Sequence, residues 1–423
     1  MPTSFRILFV LALIVILGAM LASGNVVADT HTATPTWSLY LPLALRNSSA
    51  APTTTPTATP PPTTTFTVTN LNNSGVGSLR WAIHQSNLAG GANTINIAVT
   101  GTLHPGWSLP QITASVTINA LAGNFTILSW GQTFFVQPGR TLTLSNIAIA
   151  NGYTPGTWGG GAIYNDHGTV NLINCMIYNS YAYSQGGAIF NNGGSINIQA
   201  STIRDNYTYT WSGTSDIAAG GGLYNLDGTV LIDKSLFSGN SAWMGGGMYV
   251  AGGSVTVTNS TFNGNTAAMS VGGNGAAIYV AGGSVQIFQS TIAGNNATLY
   301  GGIYSANGWT TIQNSILANN AVAGNCAGNI IDAGNNLQFN PNWGCVGIAS
   351  DPKLGALADN GGATQTMALQ LGSAAINLAS SGCPPVDQRG YARNLADGRC
   401  DVGAYEVGHE VGQRAFLPII LRK

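Results

Sequence analysis

A twelve-residue pattern recurs along this chain. The segments SINIQASTIRDN, TVLIDKSLFSGN, SVTVTNSTFNGN and SVQIFQSTIAGN align without gaps, and weaker copies extend the series in both directions. Self-similarity of this kind marks a stacked repeat rather than a compact globule. The first aliphatic of each copy defines a column: Leu142, Val170, Ile196, Val230, Val255, Val285 and a degenerate Thr310, with gaps of 28, 26, 34, 25, 30 and 25 residues. Two positions on, the column holds Leu144, Leu172, Ile198, Ile232, Val257, Ile287 and Ile312, and seven positions on it holds Ile149, Ile177, Ile203, Phe237, Phe262, Ile292 and Leu317. Val116 with Ile118 repeats the first pair one coil earlier, and Ile95 with Ile97 repeats it again. Short alternating strands between Gly and Asn corners, repeating at a variable period, predict a coil that stacks on itself. The crossover rule for parallel strands makes it right-handed. The expectation is an all-β, right-handed parallel β-helix of about nine coils, close to 4.8 Å each.

Two polar columns support the stack. The fifth position after the first aliphatic holds Ile147, Cys175, Ser201, Ser235, Ser260, Ser290 and Ser315; the tenth holds Gly152, Ser180, Asn206, Asn240, Asn265, Asn295 and Asn320. Stacked asparagines can bond their amides along the axis, as in cross-β ladders. The same logic explains an unusual composition. Lys and Arg number 13 and Asp and Glu 14 among 423 residues, with 57 glycines and net charge −1. A charge in a stacked column would sit beside its own kind, whereas Ser, Thr, Asn and Gly stack without repulsion. So few charges exclude a helical bundle or coiled coil, and the lack of a basic patch argues against nucleic acid as a partner.

The ends read differently. Residues 1–24, with Arg6 followed by ILFVLALIVILGAMLA, have the plan of a secretory signal peptide. Residues 25–65 hold a tag-like segment and a Pro/Thr-rich linker, APTTTPTATPPPTTT. YLPLALR at 40–46 and FLPIILR at 416–422 share one plan, and the second lies in a hydrophobic LP-containing tail at 408–423. Residues 66–325 are expected to form the β-helix, and 326–407 its C-terminal coils and a β-rich cap. GSLRWAIHQSNLAG predicts an N-terminal capping helix: Ser78 caps it, Leu79, Ala82 and Ile83 form its apolar face, and Gly90 and Gly91 stop it. Cys326, Cys345, Cys383 and Cys400 fall in two close-spaced pairs, read as two local disulfides of a secreted chain, although four cysteines permit three connectivities.

Two sets of residues are candidates for function. Tyr164, Phe190, Tyr224, Tyr249, Tyr279 and Tyr304 each follow an aliphatic residue, so alternation puts one column inside and the other outside. An outward aromatic stripe would suit stacking on sugar rings or on a protein partner; the competing reading is a stack covered by itself and by neighbouring loops. Arg204 and Asp205 on one coil, with Asp233 and Lys234 on the next, could gather four charges around one corner, either as a base with a cation ligand or as two surface ion pairs. His167 is expected in a turn, and Cys175 as a small buried replacement for serine. No metal-ligand spacing is present, and no cofactor is implied.

The alternation GGGAIYN, GGAIFN, GGGLYN, GGGMYV with STIRDN, SLFSGN and STFNGN resembles the repeats of polymorphic outer-membrane proteins and related pectin-lyase-like β-helices. DPKLGALADNGGATQTMALQLGSAAINLASSGC with DQRGYARNLADGRCDVGAYE resembles the choice-of-anchor Q domain, through residues that include Asp359, Asn360, Asp387, Gln388, Arg389, Asp401 and Glu406; Ala374 and Asn377 depart from that pattern. The resemblance implies a secreted, cell-surface β-helical protein and supplies no catalytic set. Pectin-lyase-like helices include polysaccharide lyases and hydrolases, which keeps an enzyme acting on extracellular glycans as the alternative. The expected function is non-catalytic: adhesion, surface display or polysaccharide binding. The expected partner is an extracellular polysaccharide or envelope component, with membrane contact only through the signal peptide or tail, and the chain is expected to be a monomer.

Overall fold

A computed structural model describes residues 63–408 apart from 157–158, 210–217, 268–272, 321–323, 341–344 and 396–397. The signal-like run, both LP-containing tags, most of the Pro/Thr linker and most of the long insertion at 210–219 lie outside the described residues.

The chain is an all-β parallel solenoid of about nine turns. Its long first sheet starts at Thr65–Val68 and continues through Ala92–Ile97, Ser115–Ala120, Thr141–Ser145 and Thr169–Ile173 into the long strands Ile189–Gln199, Leu223–Asp233 and Ile303–Gln313. A second sheet of eleven strands completes the turns, joined in six of them by a third sheet of six strands. Register follows the sequence columns: Val170 pairs with Leu142 and Ile196, Ile203 with Ile177 and Phe237, and Phe262 with Ile292. These side chains fill one continuous interior core.

The first coil departs from the expected register. Ile95 pairs with Ile118 and Ile97 with Ala120, so Asn93 rather than Ile95 stands opposite Val116. The reason lies in the cap. Helix α1 (Leu79–Ala89) buries Leu79, Ala82 and Ile83 on the open end, with Ser78 accepting from the Trp81 N–H. The buried Asn93 amide donates to the carbonyls of Ser86 at 2.9 Å and Gly90 at 2.8 Å, and its oxygen accepts from Thr64 N at 3.0 Å. A valine there would remove the Gly90 carbonyl's side-chain donor and leave the Ser86 carbonyl only the Gly90 N–H.

Polar ladders hold the corners. Asn206, Asn240, Asn265, Asn295 and Asn320 each donate their side-chain amide to the next, at 2.8–3.0 Å, ending on Asn325. The backbone N–H groups of Cys175, Ser201, Ser235, Ser260 and Ser290 each donate to the next serine hydroxyl at 2.9–3.2 Å. A further ladder, Asn165 to Asn191 to Asn225, runs where the first sheet bends. The recurrent GG has a steric cause: Gly186 has φ +62°, and a Cβ on Gly187 would meet the Gly221 carbonyl oxygen at 2.4 Å.

The C-terminal segment does more than cover an end. The last solenoid strands are Cys326–Asp332, Leu337–Phe339 and Ile348–Ala349; an antiparallel hairpin, Leu354–Ala358 with Thr366–Leu369, follows. The chain then runs back along the outside of the second sheet. Thr364 Oγ1 donates to Lys234 O at 3.2 Å, Thr261 Oγ1 to Gln388 Oε1 at 2.6 Å, and Arg393 Nη2 to Asn259 Oδ1 at 3.0 Å. Ala293, Ile316, Ala318 and Leu337 join Leu369, Ala375, Ala379, Cys400 and Val402 in a second core. Disulfides Cys326–Cys345 and Cys383–Cys400 close loops within this half.

Candidate functional site

Strands Phe134–Val136, Ile163–Asp166, Met248–Val250 and Ile278–Val280, with the first residues of the three long strands, carry the aromatic column. Alternation turns Ile163, Ile189, Leu223, Met248, Ile278 and Ile303 inward, where all are fully buried, and the rings outward into a cluster of their own. Phe135, Tyr164, Phe190, Tyr224, Tyr249, Tyr279 and Tyr304 form an unbroken ladder with centroid spacings of 5.0, 5.0, 5.3, 4.9, 5.1 and 5.4 Å. Tyr164, Phe190 and Tyr224 are only 9, 5 and 7% exposed, whereas Tyr249, Tyr279 and Tyr304 are half-buried. The ladder is therefore an outer layer largely covered along its first half and open toward its last coils. Burial pushes the Tyr249 hydroxyl up to about 12, with Tyr224 and Tyr279 adding to the effect.

Phe135 was not part of the sequence-predicted column. FFV at 134–136 puts Phe134 where the other copies have an aliphatic residue, and GQT replaces the GG signal before it. A second stack, Tyr153, Tyr181 and Tyr207, stands on the third sheet with spacings of 4.5 and 5.0 Å. Where the two stacks begin, a cavity of about 450 Å³ opens, lined by Trp107, Trp130, Phe135, Tyr153, Gln132 and Thr154 among others. Trp107 and Trp130 are 80 and 63% exposed. The loop carrying Trp107 is held by Arg80, which donates to the carbonyls of Ser108 and Pro105 at 2.8 Å and of Trp107 at 3.2 Å. Gly131 lets this loop approach, since a Cβ there would meet Ser108 Oγ at 3.2 Å.

The four charged candidates do not gather. Lys234 (φ +50°) occupies the corner between first and second sheets, in ion pair with Asp233 at 3.2 Å. Asp205 (φ +55°) occupies the next corner, paired with Arg204 at 2.5 Å. The short strand Leu236–Ser238, beside Thr202–Arg204, separates the two corners, so of the two readings the sequence left open the charges stand as two ion pairs. Arg204 stacks on Tyr178 at 4.8 Å and, with Asp205 and Asp359, lines a cleft of about 600 Å³ beside the returning C-terminal segment. Among the described residues, no three His, Cys, Asp or Glu side chains group as metal ligands.

His167 lies in a turn at φ +53°, 2.8 Å from Asp166. Cys175 is buried in the serine column, its Sγ donating to Leu144 O at 3.3 Å, and burial pushes its thiol up to about 11. The residues DQRGYAR and DVGAYE build a buried charged clasp: Asp387 pairs with Arg389 at 2.7 Å and Glu406 with Arg393 at 3.0 Å. In the sequence only the family resemblance marks these residues, because nothing local shows that Arg393 and Glu406 meet across 13 positions.

No described helix is long and apolar enough to cross a membrane. No protein-family model matches the chain, and no curated protein matches it.

Proposed function

We propose that this chain is a secreted, cell-surface β-helical protein that binds polysaccharide without cleaving it, serving adhesion or surface display. The observation that carries the reading is the unbroken outward ladder from Phe135 to Tyr304. Tyr249, Tyr279 and Tyr304, half-buried at coil spacing, present a row of aromatic edges to the C–H groups of a repeating polymer. Two disulfides favour an oxidising compartment. The GGAI repeats and the DQRG segment support placement among pectin-lyase-like β-helices with polymorphic-outer-membrane-protein and choice-of-anchor Q features.

The alternative is a lyase or hydrolase. It is favoured by one observation, that Arg204, Asp205 and Asp359 line a common cleft, since glycoside hydrolysis needs two carboxylates flanking one bond. The pairing of Asp205 with Arg204 counts against a free acid or base there. The test is to incubate the purified chain with acidic and neutral polysaccharides and record both retention and new reducing or unsaturated ends. Retention without cleavage is expected; cleavage that is lost in Asp205→Asn or Asp359→Asn would establish the alternative.

A further inference from the structure

We propose that the cavity walled by Trp107, Trp130, Phe135 and Tyr153 is a subsite for a neutral sugar ring, at which a bound polysaccharide is anchored. This rests on the polysaccharide-binding reading above and assigns its specificity. The volume of about 450 Å³ lies within the range of roughly 300–1,000 Å³ usual for small-ligand sites. Four aromatic side chains line it, and its two tryptophans are among the most exposed large side chains of the described residues. Exposed tryptophans fixed on a concave wall are costly to solubility unless a ligand covers them.

The ligand class follows from charge and from hydrogen-bonding capacity. Among the described residues no Asp, Glu, Lys or Arg lines the cavity, so a carboxylated sugar would lose hydration there without gaining a counter-charge from them. Gln132 Nε2 already donates to the carbonyls of Gly159 at 2.9 Å and Gly160 at 3.0 Å, and Thr154 Oγ1 donates to Gly160 at 3.0 Å. Gln132 Oε1 is thereby the atom left to accept from a ligand, which a sugar hydroxyl satisfies. Phe135 lines the cavity and is also the first ring of the ladder. Arg80 acts as a positioning residue, holding the Trp107 loop through three carbonyls.

The experiment titrates the full chain with neutral cello-, xylo- and manno-oligosaccharides, with oligogalacturonate and with the peptide APTTTPTATPPPTTT, following tryptophan fluorescence and heat. At least one neutral series should saturate. Trp107→Ala and Trp130→Ala should each weaken it by about tenfold or more, close to 1.4 kcal/mol, while Trp309→Ala, an exposed tryptophan outside the cavity, leaves it unchanged. Retention of a polysaccharide equally by wild type, Trp107→Ala and Trp130→Ala would overturn the subsite and leave polysaccharide binding standing. Retention of no polysaccharide would overturn both. Tighter binding of oligogalacturonate than of every neutral series, or of the peptide alone, would overturn the ligand assignment. The high exposure of Trp107 keeps its alanine variant folded, and circular dichroism checks this.

Discussion

The guanidinium of Arg393 and the carboxylate of Glu406 meet at 3.0 Å with side chains 0 and 1% exposed, and they lock the C-terminal segment onto the outside of the solenoid. Arg393 also donates to Asn259, at the corner between the first and second sheets, and to the carbonyls of Asp401 and Gly403, while Glu406 accepts from the N–H groups of Asn394 and Asp401. Removing one partner of a buried pair strands the other charge, at about 3–5 kcal/mol. Arg393→Ala is expected to lower stability by that amount and to expose residues 364–407 to protease while the solenoid stays intact. Equal protection of the segment in wild type and variant would contradict the clasp.

The asparagine ladder makes a graded prediction. In Asn265→Ala the backbone N–H and side-chain amide of Asn240 both lose their acceptor, and the Phe237 carbonyl loses a donor. Each orphaned buried group costs about 1–3 kcal/mol, so urea unfolding should report a loss of at least roughly 2 kcal/mol. Asn296→Ala, on an exposed neighbouring position, should stay within about 0.5 kcal/mol of wild type.

Alkaline pH should destabilise the fold. Burial raises the Cys175 thiol from its ordinary 9.0 to about 11 and the Tyr249 hydroxyl from 10.0 to about 12. The unfolded chain releases these protons first, so stability is fully present below pH 9 and falls as pH rises to 12. A stability curve flat from pH 9 to 12 would refute this. At pH 8 the Cys175 thiol should resist iodoacetamide in the native protein and react after unfolding.

The two disulfides should be separable. Cys383 and Cys400 lie 17 positions apart and Cys326 and Cys345 lie 19 apart; loops of this size contribute about 3 kcal/mol each in the chain-entropy account. Replacing Cys383 and Cys400 by serine should accelerate amide exchange across 375–404, whereas replacing Cys326 and Cys345 should accelerate it in the last coils. The reverse pattern in exchange mass spectrometry would place the restraints elsewhere.

Repetition made the interior legible. Each column position appears several times, so Val170, Ile196 and Val230 could be assigned one inward position, and the Ser and Asn columns one corner each, without knowledge of the third dimension. Asn93 broke the pattern because its partners are carbonyls of the capping helix, a contact that occurs once. Asp205 and Lys234 looked adjacent along the columns, yet one short strand places them at different corners, and their left-handed backbone explains their positions better than shared chemistry does.

The sequence by itself determined the stack: parallel coils, aliphatic and aromatic columns on opposite faces, neutral ladders and glycine corners, because every coil sees its own copy as a neighbour. Only the tertiary structure decided what meets outside that repeat. Trp107, Trp130 and Tyr153 come together around Phe135 through a loop that Arg80 fixes, and Arg389, Arg393 and Glu406 come together through a segment that turns back along the rod. Those contacts join residues with no common period, and packing alone brings them into reach.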